Sequence, residues 1–318
     1  FVILWSMNKR KVFVAGLLTL ALVVVTIKNW DIIFAGLQVL QQAPLHLLTL
    51  SLALLAATFC LAALSYKLLA FHKLSLRQLV VVEMAAAAVN RLLPAGLGGL
   101  GLNGWYLLRH KHSAPQATAV ISINNLLGML VHMMAFMAML LLGYGQLPRD
   151  LSISTQIMFL GSLIAVILAT AALFFRTKIS SFLRNVGRSL AGYKKRPLQF
   201  LAAAISQLSL TICNVIILEL SLMAAQIHMS LATVFVVYSL GVLLGALMPT
   251  PGGVAGVEAG LTGGLVAYGA PLDLAAAAVI AFRVVTFWLP IIPGAVALLW
   301  LQKQGLLKGA RHHIMRAA

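Results

Sequence analysis

Long apolar runs alternate with short polar clusters along the chain, and the lengths of the runs decide what they are. Residues 12–27, 45–65, 118–142, 157–175, 198–224 and 274–300 each approach the ~20 residues that a helix needs to cross a ~30 Å hydrocarbon layer. They predict membrane-spanning helices. The mixed stretch 30–42 predicts only an exposed connection or an amphipathic turn. Residues 79–93 and 231–247 are apolar too, but each run stops at a cluster of proline and glycine.

The second cluster reads LMPTPGGVAGVE over 247–258. Pro249 and Pro251 each lack an amide donor, and Gly252, Gly253 and Gly256 open conformations closed to other residues, so the helix must break there. The first cluster runs from Pro94 through Gly98 to Gly101 and breaks its helix in the same way. Backbone freed inside a bilayer is tolerated only when it is buried in protein or lines a wet cavity. Both breaks therefore belong inside a helix bundle, as paired half-helices that re-enter one face or as thin full spans.

Sliding the chain by 155 residues lays 74–103 on 229–258 without a gap. Pro94 then matches Pro249, Gly98 matches Gly253, Gly101 matches Gly256, and Asn103 falls opposite Glu258. The two copies predict repeats of about 45–143 and 198–301.

Charge sets their relative sense. Hydrophobic residues make up 62% of the chain and charged residues 9%, which leaves no room for a soluble domain, and the net charge of +17 sits between the apolar runs. That distribution marks cytoplasmic loops rather than a nucleic-acid surface. Lys67, Lys73, Arg77, Arg109 and Lys111 flank the first break, and the linker 176–197 is basic without an acid, so it predicts a cytoplasmic amphipathic helix or a solvated loop. No Lys or Arg lies between Pro197 and Phe282. The first copy therefore starts on the cytoplasmic side and the second on the opposite side, with both termini cytoplasmic. Inverted repeats with broken helices at their interface are the pattern of alternating-access transporters. The predicted fold class is all-α, a single integral membrane domain over 1–318: a polytopic helix bundle with two inverted repeats and Pro/Gly-broken re-entrant or discontinuous helices.

An intramembrane charge marks a candidate site. Glu258 follows the second break, Arg283 lies on the next span and Arg91 precedes the first break. The arginines suit a phosphate, with help from half-helix amides, while Glu258 can balance Arg283, meet an amine or carry a proton. Asn103 supplies a neutral hydrogen-bonding group in the first copy. Asn124, Asn125 and His132 on one span predict links between helices, and the four-residue spacing of Gly256, Gly260 and Gly264 predicts close helix packing. Cys60 and Cys213 form no CxxC, and no cluster of ligands or nucleophile with base is spaced for metal or covalent chemistry. No cofactor and no enzymatic activity are expected.

The run MPTPGGVAGVEAGL, followed by AAAAVIAFRVVTFWLPIIPGAVALL, resembles the transmembrane domain of bacterial lysyl-phosphatidylglycerol synthases and the free-standing flippase-like proteins that share it. Pro249, Gly253, Gly256, Glu258 and Arg283 match that family's second motif. The resemblance implies a protein of the bacterial inner membrane that moves a phospholipid or other polar lipid between leaflets. No soluble synthase domain is expected. In the first motif Asn103 stands where many relatives place a charge. A secondary transporter of a small amphiphilic solute is the first alternative; a non-transporting subunit of a lipid-synthesis complex is another. The implied partners are membrane lipids with anionic or zwitterionic headgroups, with a homo-oligomer or a lipid-synthesis enzyme as further possibilities.

Overall fold

The structure, a computed structural model, describes residues 30–92, 97–142, 193, 195–248 and 253–304. The predicted spans at 12–27 and 157–175, and most of the basic linker 176–197, lie outside the described residues. Among the described residues every regular element is helical. Four of these helices are long and apolar enough to cross a membrane: Leu45–Leu69, Ala114–Leu141, Pro197–Ala224 and the continuous stretch Leu272–Lys303.

In chain order the elements are α1 (Trp30–Gln42), α2 (Leu45–Leu69), α3 (Leu76–Leu92), α4 (Leu97–Arg109), α5 (Ala114–Leu141), α6 (Pro197–Ala224), α7 (Leu231–Leu247) and α8 (Gly256–Ala267). The last span is built of α9 (Leu272–Arg283), a π-helical turn (Val284–Trp288) and α10 (Ile291–Lys303). Residues 30–42 thus form a full helix rather than a connection. Gly36 lets it settle against Ile280 and Ala277 of α9, a contact that its mixed polarity does not advertise.

The central pair is α2 with α6, and their hydrogen bonds give the direction. Tyr193 Oη donates to the Leu69 carbonyl at 2.6 Å, Gln207 Nε2 to Ser65 Oγ at 3.1 Å and Ser206 Oγ to the Leu61 carbonyl at 2.9 Å. From Tyr193, just ahead of α6, to residues 206 and 207 within it, the partners on α2 drop from 69 to 61 and 65, so the two helices are antiparallel. Asn124 of α5 joins them, its Oδ1 accepting from Ser65 at 2.7 Å and from Gln207 at 2.9 Å. Asn124 is therefore an interhelical link, as its place on a long apolar helix suggests.

Each end of this pair carries a helical hairpin. In the α7–α8 hairpin, Gly241 faces Leu261, Gly245 faces Val257 and Gly264 faces Val237, and a Cβ on Gly260 would come within 2.8 Å of Gly241 Cα. The regular glycine spacing is a packing face. In the α3–α4 hairpin, Gly98 sits against the Val89 and Asn90 backbone, and Tyr106 Oη donates to Gln78 Oε1 at 3.1 Å. The arms α3 and α7 are each 17 residues long, ~25 Å at 1.5 Å per residue.

Two apolar cores follow from this plan. One joins α6 to the second hairpin and α9 through Leu218, Leu222, Val237, Leu261 and Phe282. The other joins α2 to the first hairpin, α5 and α10 through Leu69, Leu79, Tyr106, Ile123 and Leu301.

Candidate functional site

The π turn organises the site. Pro290 has no N–H, so the Thr286 carbonyl loses its α-helical donor, and the chain widens instead, with Leu289 N donating to the Val284 carbonyl at 2.9 Å. Arg91, in the last turn of α3, reaches across to the freed backbone: Nη2 donates to the Thr286 carbonyl at 2.6 Å and Nε to the Phe287 carbonyl, while Nη1 donates to Ala87 in its own helix. The end of the first hairpin's long arm is thereby bound to the last span.

The second hairpin reaches the same turn through an ion pair. Arg283 Nε donates to Glu258 Oε1 at 2.7 Å, and the Arg283 side chain is only 10% exposed. Glu258 Oε2 accepts the Ala255 N–H at 2.7 Å, which caps the start of α8. Both carboxylate oxygens are therefore engaged. Gly253 (φ +67°) and Ala255 (φ +73°) hold the left-handed conformations that turn the chain into α8, and for alanine this is strained backbone. The Phe287 ring lies under both guanidiniums, with Arg283 Cζ 4.4 Å and Arg91 Cζ 5.4 Å from its centroid.

These groups wall a cavity of ≈ 250 Å³ lined by Asn90 and Arg91 of α3, Asn214 of α6, Tyr238 and Val242 of α7, Val257 of α8, and Phe282, Arg283, Thr286 and Phe287. Among the described residues, two guanidiniums and the one carboxylate bonded to Arg283 give a balance of one positive charge. Asn90 also caps the other hairpin, its Oδ1 accepting the Gly99 N–H at the start of α4. Asn90, Asn214, Tyr238 and Thr286 escape sequence reasoning as site residues. The signal for Asn90 and Asn214 was their polarity inside apolar runs; Tyr238 and Thr286 carry none, being ordinary in such helices.

Of the sequence-predicted residues, Arg91 and Arg283 line the cavity, Glu258 is tied to it through its bond to Arg283, and Asn103 does not line it. The gapless repeat alignment slips by four residues past the break, because α4 opens 21 positions after the start of α3 whereas α8 opens 25 after the start of α7. Glu258 is the third residue of α8, and the third residue of α4 is Gly99, not Asn103. By the same slip Gly101 lies within α4 with nothing within 4 Å of an added Cβ, so it is no part of the break. Gly98 is a close-approach residue of α4, and Gly256 is the first residue of α8, packed on Leu244 and Met248. Pro94, Pro249, Pro251 and Gly252 lie outside the described residues.

A family model described as the lysylphosphatidylglycerol synthase TM region matches residues 12–294. The chain belongs to that family. A comparison with curated proteins finds no match. Membership in the lysylphosphatidylglycerol synthase TM-region family agrees with the resemblance carried by residues 249–283 and, with the four apolar spans, makes this a membrane protein. The match takes in both hairpins and the Glu258–Arg283 pair.

Proposed function

We propose that the protein moves a phospholipid or other polar lipid between the leaflets of a bacterial inner membrane, without chemical change to the lipid, and that the cavity at the π turn receives the headgroup. The observation that carries this reading is the convergence of both hairpins on one charged cavity: Arg91 from the first and Glu258 from the second meet at the turn that follows Arg283. A net positive charge suits a phosphate. A volume of ≈ 250 Å³ suits a headgroup whose acyl chains stay in the bilayer, and Val242 at the cavity is exposed. Glu258 acts as the gate, because an arriving anion competes with it for Arg283 and for the amide at the start of α8.

The two copies act as inverted repeats. In support, α2 and α6 are antiparallel and each leads into a hairpin, and the hairpin arms of 17, 13, 17 and 12 residues are short for a ~30 Å core, as re-entrant half-helices are. Lys67, Lys73, Arg77, Arg109, Lys111, Lys195 and Arg196 gather at the end where α2 finishes and α6 begins, which we take as cytoplasmic, with both chain termini on that side.

The test is leaflet exchange of fluorescent phospholipids in proteoliposomes. Arg283→Ala and Glu258→Gln should each slow exchange by about tenfold or more, the loss expected when an interaction worth ~1.4 kcal/mol is removed. Unchanged exchange in both variants, with the fold intact, rejects the assignment. Inhibition by a water-soluble amphiphile in place of lipid would favour a solute transporter.

A further inference from the structure

The first hairpin holds a second polar group that the cavity does not use. Glu83 of α3 places its Oε1 out of contact with solvent and, among the described residues, without a hydrogen-bond partner. Asn103 of α4 is the polar side chain beside its carboxyl. Asn103 is 3% exposed, and its own Oδ1 has no partner either. Tyr66 of α2, beside Asn103 and Asn124, closes the group.

Among the described residues nothing cationic answers this carboxyl. The titratable neighbour from α2 is Tyr66, which carries no charge, and α4 contributes the neutral Asn103. Packed along α3, α10 has Lys303 at its C-terminal end and no other ionisable residue. On α3 itself Arg77 and Arg91 lie six and eight positions away, ~9 and ~12 Å along the axis, and Arg91 is bound at the π turn. An ionised carboxylate buried without a partner costs several kcal/mol. A single proton on the carboxyl removes that charge and adds a donor beside Asn103, whose Oδ1 has no partner among the described residues. The acid and the amide then satisfy each other, Asn103 N–H to Glu83 and Glu83 O–H to Asn103.

We propose that Glu83 and Asn103 form a proton-binding site in the first hairpin, loaded at neutral pH and emptied to water when that hairpin moves, so that lipid movement is coupled to proton movement. The loaded state stands on the geometry alone; the coupling rests on the transport reading above. Neither depends on the Glu258–Arg283 pair being the proton carrier, since Glu258 has both oxygens engaged by donors.

The full chain in lipid nanodiscs, followed by infrared difference spectroscopy, reads the carbonyl stretch of a protonated carboxylic acid. At neutral pH the wild type should show such a band, sensitive to ¹³C-glutamate labelling. It should vanish in Glu83→Gln, persist in Glu258→Gln and shift in Asn103→Leu, which removes the amide partner. Glutamine reproduces the neutral shape of the protonated acid, so Glu83→Gln should fold. In proteoliposomes an imposed pH gradient should drive lipid exchange by the wild type, and Glu83→Gln should lose the gradient response. The proton site is overturned if no band at neutral pH depends on Glu83, or if sodium rather than acid stabilises the wild type and not Glu83→Gln. A Glu83-dependent band with exchange indifferent to the gradient overturns the coupling. A band in a protein that exchanges no lipid upholds the proton site and rejects the transport reading.

Discussion

Arg91 and Arg283 look alike in the sequence, yet the structure gives them different work. Arg283 meets a carboxylate, whereas Arg91 gives three donors to backbone carbonyls, one of them stripped of its helical partner by Pro290. Arg91→Ala should therefore destabilise the protein, since each buried carbonyl left unsatisfied costs about 1–3 kcal/mol. Pro290→Ala restores an N–H for Thr286, so Arg91→Ala should cost less in that background. A double-mutant cycle from unfolding in mixed micelles should give a coupling of about 1 kcal/mol. Additive costs would show that Arg91 does not serve the orphaned carbonyl. The Glu258–Arg283 pair was legible from sequence because an intramembrane charge demands a partner and these were neighbours in the pattern. Arg91's partners were hidden, since they arise from a π turn that hydropathy does not mark. Asn103 was set opposite Glu258 because the alignment ran gapless through a break whose two copies differ in length.

At the scale of elements, glycine positions separate packing from open surface. A Cβ on Gly294 of α10 would lie 2.4 Å from the Met84 carbonyl and 2.6 Å from Ala88 Cβ on α3, while Gly263 of α8 has nothing within 4 Å. Gly294→Ala should lower stability by about 1–3 kcal/mol through forced separation of α3 and α10, and Gly263→Ala should leave it unchanged or raise it slightly. Thermal unfolding of the two variants distinguishes them. The junction between α4 and α5 adds a pH dependence. His112 Nε2 accepts the Phe71 N–H at 3.1 Å and the His72 N–H at 3.3 Å, which requires a neutral ring, and burial holds its pKa below the ordinary value of 6.5. The folded state thus binds a proton less readily than the unfolded one. Its contribution is complete above pH 6.5 and is lost as the pH falls from there through the depressed folded value. Unfolding measured against pH should show stability dropping on acidification, and this slope should weaken in His112→Gln. Helix positions were largely readable, with α6 and α7 within a residue of the apolar runs; α1 was not, because the residues it packs on the core, Val39 and Leu40 beside the Gly36 contact, are interleaved with polar ones and form no long apolar run.

For the whole molecule, the decisive feature is that α2 and α6 run in opposite directions and each leads into a helical hairpin. Proline and glycine breaks in the hydropathy pattern located the hairpins, but the antiparallel pairing is seen in the hydrogen bonds from Tyr193, Ser206 and Gln207 to α2. If both hairpins are re-entrant, the entry and exit of each share one side, and the two sides are opposite. Lys73 and Lys111 bracket the first hairpin and His228 and Asp273 the second, all four exposed. In a background lacking Cys60 and Cys213, Lys73→Cys and Lys111→Cys should react with an impermeant thiol reagent from one face of the membrane only. His228→Cys and Asp273→Cys should react only from the other. Two full spans in place of each hairpin would give the same bracketing, so a position near the end of the second hairpin's long arm is needed as well. Met248, exposed and at the end of α7, should label in Met248→Cys from the cavity side at a rate that lipid headgroups slow, rather than from the face opposite His228. Labelling of Met248→Cys as fast as Lys73→Cys, and from that same face, would mean that α7 crosses the bilayer completely, leaving the π turn without two half-helices to converge on it.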